Sequence, residues 1–183
     1  MDFNAFSHGQ IQAKQWLCES LEPHLPNSAL VVILGCWYNV LGLLMLTRNK
    51  EKYQEILGID IDPNAIEIAD KICMGWRIRE FPIIRHRIED ASISDIHPYN
   101  VVINTSVEHM TLDWFDRVVP GTIVCIQSTD LELTDEVWKI TNPTKTLSEL
   151  SKKFNLSTVM FSDTQVIDYD SWGYNRFMII GKK

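Results

Sequence analysis

The chain alternates between short apolar runs and stretches in which apolar residues recur every three or four positions. The apolar runs predict buried strands, and the stretches between them predict amphipathic helices. Such an alternation is typical of an α/β fold whose sheet is largely parallel. The seven predicted strands cover residues 29–34, 55–60, 83–88, 100–104, 122–127, 156–166 and 176–181.

The connections between the strands refine this prediction. Asp62 is placed to cap the third helix, with Pro63 at its first position. The last two strands are joined by a polar stretch, residues 168–173, which predicts a hairpin and therefore one antiparallel strand in the sheet. The predicted helices cover residues 8–25, 38–47, 63–73, 112–119 and 146–154.

The first two strands carry the clearest functional signal. One apolar run ends at Gly35, and the next ends at Asp60, at about the spacing seen when a carboxylate holds the ribose of a bound nucleotide. The glycines that let a pyrophosphate approach the backbone are absent, because Cys36, Trp37 and Tyr38 follow Gly35. A nicotinamide-dependent oxidoreductase is therefore a distant alternative. S-adenosylmethionine (SAM) has no pyrophosphate, and its sulfonium is attracted to aromatic faces.

At this point the chain resembles the class I SAM-dependent methyltransferases over nearly its whole length. The pieces that carry the resemblance, in chain order, are Ile33-Leu-Gly-Cys-Trp37, Gly58-Ile-Asp-Ile-Asp62, Glu89-Asp-Ala91, Ser106-Val-Glu-His-Met110 and Pro120-Gly-Thr-Ile-Val124. The resemblance implies a Rossmann-like fold with helices on both faces of the sheet, and SAM as the cofactor. The residues that it implies for cofactor binding are Gly35, Trp37, Tyr38, Asp60, Ile61, Asp90, Ala91 and Asn104.

The pair that follows the fourth strand, Glu108 and His109, supplies the candidate catalytic residues. Many class I methyltransferases have a Glu-His pair at this place. His109 is the candidate general base, because an imidazole titrates near neutral pH, and Glu108 stands beside it. Gln127 and Ser128, which follow the fifth strand, are placed to face a methyl acceptor.

Two departures from the family pattern keep other functions open. Ile33 stands where the family usually has an acidic residue that anchors the methionine end of SAM, and Trp37 stands where it has a second glycine. The favoured hypothesis is a SAM-dependent methyltransferase that acts on a small-molecule or peptide acceptor. The alternatives are a catalytically inactive methyltransferase-fold protein with a binding or regulatory role, and an RNA methyltransferase that works with a partner.

Charge and composition narrow the classes further. The formal net charge of −7 disfavours a protein that binds nucleic acid unaided. The one dense basic cluster is local, and it consists of Arg77, Arg79, Arg85, His86 and Arg87. The four cysteines stand singly, so no metal site is predicted. No apolar run reaches the roughly 20 residues that cross a bilayer, and the N-terminal stretch lacks a secretory pattern, which together predict a cytoplasmic protein.

One domain is predicted over residues 1–183, with residues 1–27 forming a helical cap over the site. The walls expected around the acceptor are Phe3, Phe6, His8, Gln10 and the loop 131–142 with Trp138. Tyr174, Asn175 and Arg176 are expected to be structural residues of the closing hairpin. The exposed edges of the sheet are compatible with a homodimer.

Overall fold

The computed structural model describes residues 2–77, 83–131 and 140–183. Its seven strands form a single sheet in the order β3-β2-β1-β4-β5-β7-β6. The strands are β1 (Ala29–Leu34), β2 (Tyr53–Asp60), β3 (Ile83–Ile88), β4 (Val101–Asn104), β5 (Ile123–Thr129), β6 (Thr158–Tyr169) and β7 (Trp172–Lys182). Only the pairs that involve β7 are antiparallel. The predicted α/β fold, Rossmann-like with one antiparallel strand, is thus confirmed.

The helices connect the strands on both faces of the sheet. They are α1 (His8–Leu21), α2 (Val40–Asn49), α3 (Pro63–Ile72), α4 (Met74–Arg77), α5 (Asp113–Asp116) and α6 (Leu147–Lys153). α3 begins as predicted, because the Asp62 side chain accepts a hydrogen bond from the Asn64 backbone N–H and Pro63 follows the cap. α6 begins in the same manner, with the Thr146 hydroxyl accepting from the Glu149 backbone N–H.

The strand β1 shows how the sheet is buried on both faces. Val31 and Ile33 belong to the core that packs with α1 and α2, whereas Val32 and Leu34 belong to the core on the opposite face, with Trp114. β1 lies between β2 and β4, so the chain reverses its direction of travel across the sheet there. In open α/β sheets ligands bind beyond the carboxyl ends of the strands at this switch point.

The closing hairpin is longer than predicted. Residues 168–173 were expected to be a loop, but β6 continues to Tyr169 and β7 begins at Trp172, so that only Asp170 and Ser171 form the turn. Tyr169 pairs with Trp172 across the hairpin, and their rings stack at 4.5 Å and 8°. This cross-strand aromatic pair stabilises strand pairing in a stretch that looks polar in the sequence. Because β5 pairs with β7 only as far as Arg176, the hairpin projects beyond the sheet.

Candidate functional site

A cavity of about 1110 Å³ opens at the carboxyl ends of the parallel strands. Of the residues predicted for cofactor binding and catalysis, it contains all except Asn104. The predicted residues that line it are Gly35, Trp37, Tyr38, Asp60, Ile61, Asp90, Ala91, Glu108 and His109. Asn104 is completely buried below the cavity, where its side chain accepts from the Ser106 N–H and donates to the Met110 sulfur. Asn104 therefore supports the loop after β4 instead of lining the cavity.

The turn after β1 has an unusual backbone. Gly35, Trp37 and Asn39 have φ angles of 63°, 50° and 50°, which lie in the left-handed region that favours glycine. Two hydrogen bonds from the turn to the end of β2 hold it: the Cys36 N–H donates to the Ile59 carbonyl at 2.9 Å, and the Trp37 N–H donates to Asp60 Oδ2 at 2.7 Å. The turn that replaces the usual glycines is thus fastened by its neighbour strand.

Asp60 has capacity beyond these contacts. Its Oδ1 accepts from the Asp62 N–H at 3.0 Å and its Oδ2 accepts from Trp37, which uses two of the roughly four acceptor positions of a carboxylate. The side chain lies in the cavity wall and can still accept from the two hydroxyls of a ribose. Ile61, 70% exposed, stands next to it on the rim and offers an apolar face for a flat base.

Asp90 lines the same cavity, as does its neighbour Ala91. Its Oδ1 accepts from both the backbone N–H and the hydroxyl of Ser92, and these bonds lower the pKa of the Asp90 carboxyl. The group is therefore an anion at neutral pH, and a carboxylate at this place can accept from an exocyclic amine.

Three hydrogen-bonded side chains, Asp70, His86 and Asn39, support the turn from below, and we call them the relay. The His86 side chain has no solvent exposure; its Nδ1 lies 2.7 Å from Asp70 Oδ1 and its Nε2 lies 2.9 Å from Asn39 Nδ2. Since the Asn39 amide can only donate, Nε2 is the acceptor and Nδ1–H donates to Asp70. Asn39 also caps α2 through its Oδ1 and the Gly42 N–H. His86 is a neighbour in sequence of Arg85 and Arg87 in the basic cluster, but the structure separates it from them, because side chains alternate along β3 and His86 faces the core.

The other end of the cavity lies beyond β4 and β5. Glu108 is buried, with its Oε1 3.5 Å from Arg176 Nη1 and 4.0 Å from His109 Nε2. The Arg176 Nη2 donates to the Thr105 carbonyl at 2.8 Å. His109 is more open, with 26% of its side chain exposed. The two candidate catalytic residues therefore lie in different settings: Glu108 is paired with a guanidinium, and His109 faces the cavity.

Sequence reasoning missed five residues of this end. Lys14 on α1 and Arg176 and Tyr174 on β7 line the cavity, although the hairpin residues were expected to be purely structural. Tyr169 and Trp172 line it as well. The available signal for Lys14 is its place on α1: it stands four residues before the buried Cys18, on the stripe that the helix packs inward.

Of the residues predicted to form the acceptor walls, some line the cavity and others do not. Gln10 lines the cavity, but Phe3, Phe6 and His8 do not. Gln127 and Ser128 are completely buried below it, where Gln127 donates to the Ala13 carbonyl at 3.1 Å. Because both side chains are buried and neither lines the cavity, they do not face an acceptor as predicted. Trp138 and Arg79 lie outside the described residues.

A cysteine also belongs to the wall of this cavity. Cys36 lines it, but burial, with a smaller contribution from Asp60, raises the pKa of the thiol well above its usual range. Within residues 2–77, 83–131 and 140–183, no three His, Cys, Asp or Glu side chains are grouped to hold a metal ion. Helices in the same ranges are all too short or too polar to cross a membrane.

No known sequence-family profile matches the chain, and no curated protein sequence resembles it significantly. Several solved structures do resemble it in fold. Magnesium protoporphyrin IX methyltransferase from Synechocystis PCC 6803, solved with bound SAM, superposes with a TM-score of 0.65 at 10% identity over 94% of this chain and 79% of that one. The YcgJ protein of Bacillus subtilis gives 0.67 at 12% identity over 94% and 98%. TehB of Haemophilus influenzae gives 0.66 at 11% identity over 92% and 62%. The chain therefore has the fold of the class I SAM-dependent methyltransferases.

Proposed function

We propose that the chain is a SAM-dependent methyltransferase whose acceptor is a small molecule or a peptide. The observation that carries the proposal is the carboxylate of Asp60, which is held at the end of β2 by the turn after β1 and retains free acceptor positions toward the cavity. The protoporphyrin enzyme of the same fold, solved with SAM, acts by its name on a small molecule. A cytoplasmic location and a homodimer remain predictions.

The residues present fit SAM. Asp60 would hold the ribose, Ile61 and Ala91 would flank the adenine, and Asp90 would accept from its amino group. The close approach of the turn to the loop after β4 leaves no room for a side chain at Gly35, whose Cβ would stand 3.0 Å from Met110 Cε. Ile33, in the position of the usual acidic anchor, is buried in the core and does not face the cavity. SAM, when bound, supplies an electrophilic methyl carbon.

The chain's own residues then have two tasks. The first is alignment, since holding an acceptor in line with the methyl carbon and sulfur is itself worth several kcal/mol. The second is removal of the acceptor's proton, for which His109 is the exposed base of the acceptor end. Glu108 is paired with Arg176. It orients the side chains of Arg176 and His109, and its negative charge compensates that of the buried guanidinium.

Calorimetric titration with SAM and S-adenosylhomocysteine (SAH) tests the cofactor site. We expect binding to the wild-type chain and at least a tenfold loss of affinity in Asp60→Ala. The matched control is Asp62→Ala, which removes a neighbouring carboxylate that caps α3 and should leave affinity within about threefold while lowering stability by about 1 kcal/mol.

A ligand variant separates ribose contact from loop damage. The 2′,3′-dideoxy analogue of SAH should bind the wild-type chain as weakly as SAH binds Asp60→Ala, and removing the hydroxyls should cost nothing further in that variant. Absence of any SAH binding to the wild-type chain would refute the proposal and favour the inactive binding protein. An RNA methyltransferase would instead be indicated by methyl transfer to RNA only when a basic partner is added.

A further inference from the structure

Lys14 has an unusual position for a lysine. It lies in the second turn of α1, in the wall of the cavity, with its ammonium donating to the side chain and to the backbone carbonyl of Gln10. In the described part of the chain it forms no ion pair with any carboxylate. Arg176, another cation, lines the same cavity and acts on Lys14 electrostatically. A lysine held inward without an anion is costly and calls for a partner.

The charge distribution of the cavity points to what that partner is. The end near β2 carries Asp60 and Asp90, which suits the positive charge of SAM. At the other end the charge of Glu108 is already paired with that of Arg176. Glu108 therefore does not offset the charge of Lys14. Burial, with a smaller contribution from Arg176, lowers the pKa of Lys14 from 10.5 to about 7. A bound anion would remove the conflict between these two cations.

The position of α1 places Lys14 on the acceptor side. The residue before it, Ala13, accepts from Gln127 on β5, and Gly9 donates to the Tyr169 hydroxyl of the hairpin. The methyl donor is expected over β1, β2 and β4, so an anion at Lys14 lies beyond it. The stacked rings of Tyr169, Trp172 and Tyr174 line the same side and offer an apolar surface.

We propose that Lys14 is a binding residue for a carboxylate of the methyl acceptor, and that the acceptor is a small acid with a planar apolar body. The inference rests on the proposed methyltransferase function and names its substrate class. Arg176 would set the electrostatic environment together with Glu108, while the aromatic hairpin would contact the body of the acid.

The test uses the full chain saturated with SAH, titrated with acetate, phenylacetate and indole-3-acetate and with their neutral amides. We expect the aromatic acids to bind at least tenfold more tightly than their amides. The preference should disappear in Lys14→Met and persist in Lys14→Arg, which keeps a cation. Lys152→Met, which removes an exposed lysine of α6, is the control for net charge.

Each alternative outcome has a clear meaning. Equal affinity of acids and amides, or no binding of any probe while SAH binds, overturns the inference and leaves the methyltransferase proposal intact. A tenfold loss of SAH affinity in Lys14→Met also overturns it, because the carboxylate bound by Lys14 would then be that of the cofactor's methionine tail. Failure of SAH itself to bind the wild-type chain refutes the proposed function first. Thermal melting of each variant confirms that it is folded.

Discussion

The two ends of the cavity are built in opposite ways. At the cofactor end the turn after β1 is closed by hydrogen bonds to Ile59, Asp60 and, through Asn39, the buried His86. At the acceptor end, Glu108 Oε2 and Arg176 Nε are buried without a hydrogen-bond partner within the described residues. Within the same ranges, Lys14 forms no ion pair with a carboxylate. Among the described residues, the chain satisfies the polar groups of the cofactor end but not those of the acceptor end.

The difference indicates how each end contributes to the free energy of ligand binding. A preformed turn loses little entropy when a ligand binds, so the cofactor end is suited to a ligand that every catalytic cycle requires. Polar groups that lack partners destabilise the free protein, and a ligand of matching charge removes that cost when it binds. The cofactor end therefore contributes stability, whereas the acceptor end costs it. The predictions below probe this contrast through the free energy of unfolding.

The largest effect is expected at Gly58, beneath the cofactor end. A Cβ there would stand 2.8 Å from Cys36 Sγ and 2.9 Å from both Asn39 Nδ2 and His86 Cδ2. Gly58→Ala should lower the free energy of unfolding by about 2–3 kcal/mol and weaken SAH binding, because it pushes the relay away from the turn. Urea denaturation measures the loss. Gly75→Ala is the control, since nothing lies within 4 Å of its added carbon; a similar loss there would show a general intolerance of alanine.

Asn39 should give the next largest effect. Asn39→Ala removes the cap of α2 and the donor to His86, and at φ 50° alanine is tolerated less well than asparagine, for a loss of about 1–2 kcal/mol. Asn39→Gly also loses both side-chain bonds but tolerates the backbone angle, so it should retain more stability than the alanine variant. The same denaturation series compares the two. Equal losses would mean that the left-handed backbone carries no strain.

Substitution of Lys14 should raise the free energy of unfolding, whereas the substitutions above lower it. The folded-state pKa of Lys14, about 7, lies below its ordinary value of 10.5. Between these two pH values the unfolded chain therefore binds more protons than the folded chain. The cost to stability is full below pH 7 and vanishes as the pH rises toward 10.5. Lys14→Met should raise the free energy of unfolding by about 1 kcal/mol at pH 7, a figure discounted because the cavity wall is reached by water. The gain should shrink at pH 10. A variant that is less stable at pH 7 would contradict a cost at this end.

His109 should change stability least. Its side chain is partly exposed, so His109→Gln should stay within about 0.5 kcal/mol of the wild-type chain. Methyl transfer from labelled SAM to an acid that binds should nevertheless fall at least tenfold, with SAH affinity unchanged. Unaltered transfer would remove His109 as the base and leave proton removal to solvent.

The sequence predicts the cofactor end better than the acceptor end for a physical reason. β1 and β3 begin and end where their apolar runs do, at Ala29–Leu34 and Ile83–Ile88, and the residues just after parallel strands meet at one edge of the sheet. Asp60 could therefore be placed from local pattern, and Asp90 from the family resemblance. The relay could have been found in part, because strict alternation along β3 separates His86 from its arginine neighbours.

The acceptor end depends on contacts that no local pattern records. Tyr169 and Trp172 continue two strands through a stretch of polar and aromatic residues, and their pairing is visible only once the rings stack. The helical stripe of α1 indicates that Lys14 points inward, but its place in a cavity wall with Arg176 depends on the packing of β7 against the helix. Long side chains in the middle of a helix are normally solvated, so burial of this one is a tertiary effect.

The hydrogen bond from Gly9 to Tyr169 joins residues 160 positions apart in the chain. The turn after β1, by contrast, is fastened by residues that lie within about fifty positions of it, Asp60 and His86 among them. Contacts between distant residues form late, because a long loop must close before they gain anything. During synthesis the nucleotide-binding half of the cavity can consolidate while the ribosome is still making β6 and β7, and the second half closes only after the last hairpin emerges. We expect refolding experiments to recover affinity for SAH before affinity for an acid.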